Sequence, residues 1–172
     1  MFILGWYMEE IPKNAAKALS FDLFNLGIYS WDVAKEMSPR SFYFNLHKSV
    51  GVSIFILVIF RIFWRLKHKP PALLEPWEKR VATAAHHGLY FLMFVTPLAG
   101  IIMSISSKYG IMWFGIELVE GLDNKAAREL FLEFHKIFGL LILLILFFHI
   151  VGALKHSLVD KDGTLRRMWF HK

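Results

Sequence analysis

The sequence predicts an all-α membrane protein, a transmembrane four-helix bundle with its first helix truncated and three full spans. Three observations predict it. The 172 residues are 56% hydrophobic, with 17 Phe and 6 Trp. Three apolar stretches, 43–66, 81–106 and 130–157, reach the roughly 20 residues that a bilayer crossing requires. Lys and Arg gather at alternate ends of these stretches, as they do beside membrane-spanning helices.

Residues 1–8, MFILGWYM, are apolar but make only about two helical turns. They lack the basic start and long apolar core of a signal peptide. They look like the last part of a further helix, of which most is missing. Residues 9–42 form a polar, mixed connection with Pro12, Gly27 and Pro39 as breakers. Within it, FDLFNLGIYSW is expected to make a short helix at the headgroup layer, where aromatic rings are favoured. The span 43–66 ends at Pro70 and Pro71. The span 81–106 contains Pro97 and Gly100, which membrane helices tolerate. The connection 107–129 has mixed charge, and 130–157 is the most apolar span. The tail is 158–172.

Arg65, Lys67, Lys69, Lys79 and Arg80 crowd the second connection, and Lys161, Arg166, Arg167 and Lys172 the tail. These ends are therefore expected in the cytoplasm, with 9–42 and 107–129 outside. The net charge of +6 thus suits an anionic membrane face. No motif supports nucleic-acid binding. The absence of cysteine excludes disulfides, Fe–S clusters and thioether-linked haem.

Histidines at membrane depth are costly and usually functional. His135 and His149 lie fourteen residues apart on one span. That is nearly four turns and about 21 Å, so both rings face the same way, one near each surface. The separation is too long for a shared ion and suits two haems stacked across the bilayer. His47, at the matching depth of another span, is the expected partner of His135. Gly51 and Gly139 each follow their histidine by one turn, where a missing side chain lets a flat macrocycle approach. Gly152 does the same after His149. Arg61 and Arg65 either snorkel to the interface or bind haem propionates. His86 and His87 are secondary candidates that could equally bond a neighbouring helix.

With those residues in place, the chain resembles the prokaryotic cytochrome b561 family of dihaem inner-membrane proteins. The carrying segments are NLHKSVG at 45–51, RIFWRL at 61–66, AAHHGLYFLMFVTPLAG at 84–100, FHKIFG at 134–139 and HIVGALKHSLVDKDGTLRRM at 149–168. The resemblance implies a periplasmic-side haem b on His47 and His135. It implies a second, cytoplasmic-side haem on His149 and a first-helix histidine that has no counterpart here. One haem is therefore expected, and two if the inner site is complete. Lys48 and Lys136, each directly after an outer-haem histidine, would attract superoxide or bind propionates. The implied function is electron transfer between a periplasmic donor and the quinone pool, in the bacterial inner membrane. With superoxide as donor and ubiquinone as acceptor the protein is an oxidoreductase. The alternative is a haem-bearing anchor subunit working with a dehydrogenase, a hydrogenase or a c-type cytochrome. A homodimer is also implied.

Overall fold

The computed structural model describes residues 1–22, 24, 26–27, 30–68 and 76–160. The KDGTLRRM segment, the tail's four basic residues and the Pro70–Pro71 helix stop lie outside them. Four α-helices dominate: α1 (Phe2–Glu10), α2 (Pro39–Lys67), α3 (Pro76–Ser106) and α4 (Lys125–Lys155). The last three are long and apolar enough to cross a membrane. Two compact units divide the chain: Met1–Ile54 with Gly100–Phe131, and Phe55–Ala99 with the chain from Leu132 onward.

In the first unit, Pro39 does not break a helix but opens one. Ser38 is the N-cap, its Oγ accepting the Ser41 N–H at 3.2 Å. Pro39 then takes the first helical position, where a missing N–H costs nothing. The span so gains four residues over the expected start at 43.

The described residues of the FDLFNLGIYSW segment do not form the expected short α-helix. Its ends belong to an antiparallel pair, β1 (Ala18–Asp22) and β2 (Ser30–Met37), with Phe21 opposite Trp31 and Asp22 opposite Ser30. The Gly27 N–H donates to Asp22 Oδ2 at 2.6 Å across the turn. The Tyr43 hydroxyl donates to the Asp22 carbonyl at 2.8 Å and accepts the Phe24 N–H at 3.0 Å. The pair thereby hangs on α2, and Phe21 stacks on Phe42 with centroids 4.4 Å apart. Leu4, Met8, Phe21, Phe42 and Tyr43 form the core of this unit. Burial of aromatic area outweighs any helical preference of so short a segment.

α1 ends at Glu10, where its last carbonyls need donors. Arg40 Nη1 supplies one, lying 3.2, 3.0 and 2.7 Å from the carbonyl oxygens of Met8, Glu9 and Ile11. Arg40→Met is expected to lower stability by about 2 kcal/mol, since charge-assisted bonds to unpaired carbonyls are lost. Thermal unfolding in detergent, followed by near-UV circular dichroism, checks this.

The connection after α3 carries a second hairpin, β3 (Ile111–Trp113) and β4 (Ile116–Val119). Its two central residues, Phe114 and Gly115, have φ of 47° and 91°, the signature of a tight primed turn. Three groups fasten the hairpin to α2. Ser49 Oγ accepts the Phe114 N–H at 2.9 Å. Trp113 Nε1 donates to Ser53 Oγ at 3.0 Å, and Lys48 Nζ to the Gly110 carbonyl at 2.9 Å. A Cβ at Gly110 would run into the Val119 carbonyl, so only glycine fits there.

In the second unit, α3 and α4 run antiparallel. Gly88 faces Ile145, with 3.4 Å between a built Cβ and the isoleucine Cδ1. α4 starts at an Asn124 cap, whose Oδ1 accepts the Ala127 N–H at 3.1 Å. Most of its apolar side chains are exposed, among them Leu140, Leu144, Phe147 and Val151. Such a surface is stable only against acyl chains or other apolar partners. The protein is a multi-pass membrane protein.

Candidate functional site

His47 sits in the first unit on α2. Its ring lies against α1 at Gly5, where a built Cβ would be 3.3 Å from the imidazole Cε1. That contact is tighter than ordinary van der Waals distance, so a side chain at Gly5 would displace the ring. Gly51, one turn on, points toward Met1, with 3.7 Å between a built Cβ and the methionine Cε. α1 therefore covers the His47–Gly51 face of α2. Gly5 is a site-shaping residue with no chemical signature in the sequence. Lys48 spends one of its three donors on the Gly110 carbonyl.

The second unit holds both histidines of α4, and both rings turn toward α3. His135 Nδ1 lies 2.9 Å from the Thr96 carbonyl oxygen. A carbonyl only accepts, so Nδ1 carries the proton and the ring's lone pair is on Nε2. This is the usual arrangement of a metal-binding imidazole, fixed by a bond at its other nitrogen. Thr96 supplies the acceptor from its backbone, next to Pro97. Gly139 is buried and Lys136 is exposed.

His149 stands beside His86, with ring centroids 5.1 Å apart and planes at 59°. His87 is exposed. A Cβ at Gly152 would meet no atom within 4 Å, so space lies open one turn from His149. Arg65 is half-buried near the end of α2, and Arg61 is exposed. His156 Nδ1 lies 3.2 Å from Asp160 Oδ2, which Lys155 also contacts.

These residues fit haem in the chemistry of their donors. Among the described residues no three His, Asp or Glu side chains cluster to hold a bare ion. Haem brings four ring nitrogens of its own and asks the protein for only one or two imidazoles. The oriented His135 offers one. His47 and His135 belong to different units, and each meets the requirement in its own surroundings.

Helical spans carrying half-buried histidines, one of them oriented by a backbone carbonyl, and no cysteine define a class, the b-type membrane cytochromes. The particular family follows from comparison. The family model of prokaryotic cytochrome b561 matches residues 1–171, and the chain belongs to that family. Its members bind haem b and transfer electrons in membranes. The chain is 32% identical over 130 residues to cytochrome b561 homolog 2 of Escherichia coli K12, covering 72% of this chain and 68% of that protein. It is 24% identical over 126 residues to cytochrome b561 homolog 1 of the same organism, covering 71% and 72%. It is 27% identical over 129 residues to a Yersinia pestis protein named probable superoxide oxidase CybB, covering 72% of each.

Proposed function

We propose that this chain carries electrons from a periplasmic one-electron donor to the quinone pool of the bacterial inner membrane. Haem b, when bound, supplies the one-electron Fe(III)/Fe(II) chemistry. The observation that carries the reading is His135, held by the Thr96 carbonyl in the tautomer that presents Nε2 to a metal. His47 would be the second histidine to hold that haem. Gly51 and Gly139 leave room beside the two histidines. Arg61 and Arg65, near the cytoplasmic end of α2, would neutralise propionates of a haem at that end, and the exposed apolar side chains of α4 exclude water.

The donor suggested by the name of the Yersinia relative is superoxide. Two superoxide anions oxidised to dioxygen provide the two electrons that, with two protons, convert ubiquinone to ubiquinol. Lys136 directly follows His135 and is exposed, so its charge raises the local anion concentration. Lys48 does the same beside His47. The tail and the Arg65–Arg80 connection face the cytoplasm, and the His47 and His135 ends face the periplasm.

The test is a reduced-minus-oxidised spectrum with haem quantitation on the purified chain, followed by reduction with generated superoxide. A b-type band that appears with superoxide and decays on adding ubiquinone is expected. A chain without b-type absorption overturns the proposal. Lys136→Glu is expected to slow reduction by superoxide about 3- to 10-fold and to weaken its salt dependence. An unchanged rate at low ionic strength removes Lys136 from the attraction.

A further inference from the structure

We propose that the β3–β4 hairpin dips its tip into the bilayer, with Phe114, Ile116 and Leu118 against lipid acyl chains just below the membrane surface. The inference rests on the spanning helices and is independent of the proposed electron transfer. The hairpin does not stand above its span. It lies along α2, with the Phe114 N–H on Ser49 Oγ and Trp113 Nε1 on Ser53 Oγ. Counted from residue 43, where the apolar stretch begins, these serines lie about 9 and 15 Å along the helix. The polar layer of a bilayer is only about 5–8 Å deep on each side. The tip is therefore level with hydrocarbon. Non-helical backbone at that depth requires partners for its polar groups, and the strand pairing and the two hydroxyls supply them.

The tip's side chains lack protein cover. Phe114 is 50% exposed, Ile116 59% and Leu118 47%. Phe114 also holds a left-handed backbone conformation, with φ of 47°, which is costly for a bulky residue. Half bare, it recovers little of that cost from the protein, whereas acyl chains would cover it. The residues Trp113–Ile116 carry no charge. Glu117 pairs with Met112 on the alternate face from Ile116. Ser49 and Ser53 each lie two residues from His47 and Gly51, nearly on the opposite side of α2. A haem on His47 is therefore not what covers the tip. The bilayer that already surrounds the span on which the hairpin lies is the occupant at hand.

The chain has no cysteine, so a single introduced thiol takes a nitroxide label without background. Full-length Phe114→Cys, Ile116→Cys and Leu118→Cys are labelled in phosphatidylethanolamine–phosphatidylglycerol vesicles. Power-saturation EPR then compares access by oxygen, which concentrates in lipid, with access by a water-soluble nickel chelate. Lys125→Cys, at the exposed start of α4, is the aqueous reference, and Leu144→Cys, exposed in its middle, the hydrocarbon one. The hairpin labels are expected to favour oxygen as Leu144→Cys does, at a depth of about 5–10 Å. Ile116→Cys and Leu118→Cys lie outside the turn and carry the test if Phe114→Cys does not fold. Labels as open to the nickel chelate as Lys125→Cys would place the hairpin in water and overturn the inference. Labels closed to both reagents would overturn it in favour of protein packing, and spin–spin broadening would then identify a second copy of the chain as the cover.

Discussion

His135→Gly is expected to lose the haem of the His47–His135 pair, and added imidazole is expected to restore it better than 1-methylimidazole. The first half follows from ligand count. Removing an axial imidazole removes a metal bond, and even the loss of an outer hydrogen bond to a ligand costs about 10- to 100-fold in metal affinity. The second half isolates the Thr96 carbonyl. Imidazole entering the vacated space has an N–H to donate to that oxygen, now 2.9 Å from His135 Nδ1. 1-Methylimidazole has none. One hydrogen bond contributes about 1 kcal/mol, so the two rescuers should differ about fivefold in the concentration needed. Titration of the reduced b-type band with each compound gives both constants. Equal constants would mean that Thr96 does not orient the ligand. A variant that keeps its full haem content would take His135 out of the site.

How much of this was legible in the sequence depends on whether the cause was local. The three long helices were, because an uninterrupted apolar run of that length has no other stable use. The shared direction of His135 and His149 was also legible, since helical period alone sets it, and both rings do face α3. The connection after α1 was misleading. Phe21, Phe24 and Trp31 are spaced like one face of a helix, yet their order comes from strand pairing and from Tyr43, which bonds to Asp22 and Phe24 across 21 and 19 residues. Pro39 read as a breaker because its role depends on Ser38 serving as a cap. The β3–β4 hairpin was disguised because Phe114 occupies a position that usually calls for glycine or asparagine. At the site, the Thr96 carbonyl could not be seen at all, since every residue has one. His86 and His87 are equivalent in sequence, and only packing leaves one half-buried beside His149 and the other exposed.

Tyr43 offers the largest expected effect on stability, and its variants separate two causes. The residue is 2% exposed. Its ring meets Tyr7 edge-on at 5.0 Å and Phe42 at 5.2 Å, so it joins α1, β1 and α2 at one point. Tyr43→Ala removes an aromatic ring from the core and is expected to cost about 3–5 kcal/mol. Tyr43→Phe keeps the ring but abandons the Asp22 carbonyl and the Phe24 N–H, at about 1–2 kcal/mol. The alanine variant should also loosen α1, because Leu4 and Met8 share that core. The consequence reaches the site, since Gly5 of α1 lies against the His47 ring. Hydrogen exchange should therefore rise across Phe2–Glu10 and both hairpin strands in Tyr43→Ala, and much less in Tyr43→Phe, while α3 and α4 near Thr96 and His135 keep their protection. Equal exchange in both variants would assign the docking of α1 to the hydroxyl bonds rather than to ring packing. Unchanged exchange in Tyr43→Ala would mean that α1 is held by Arg40 alone.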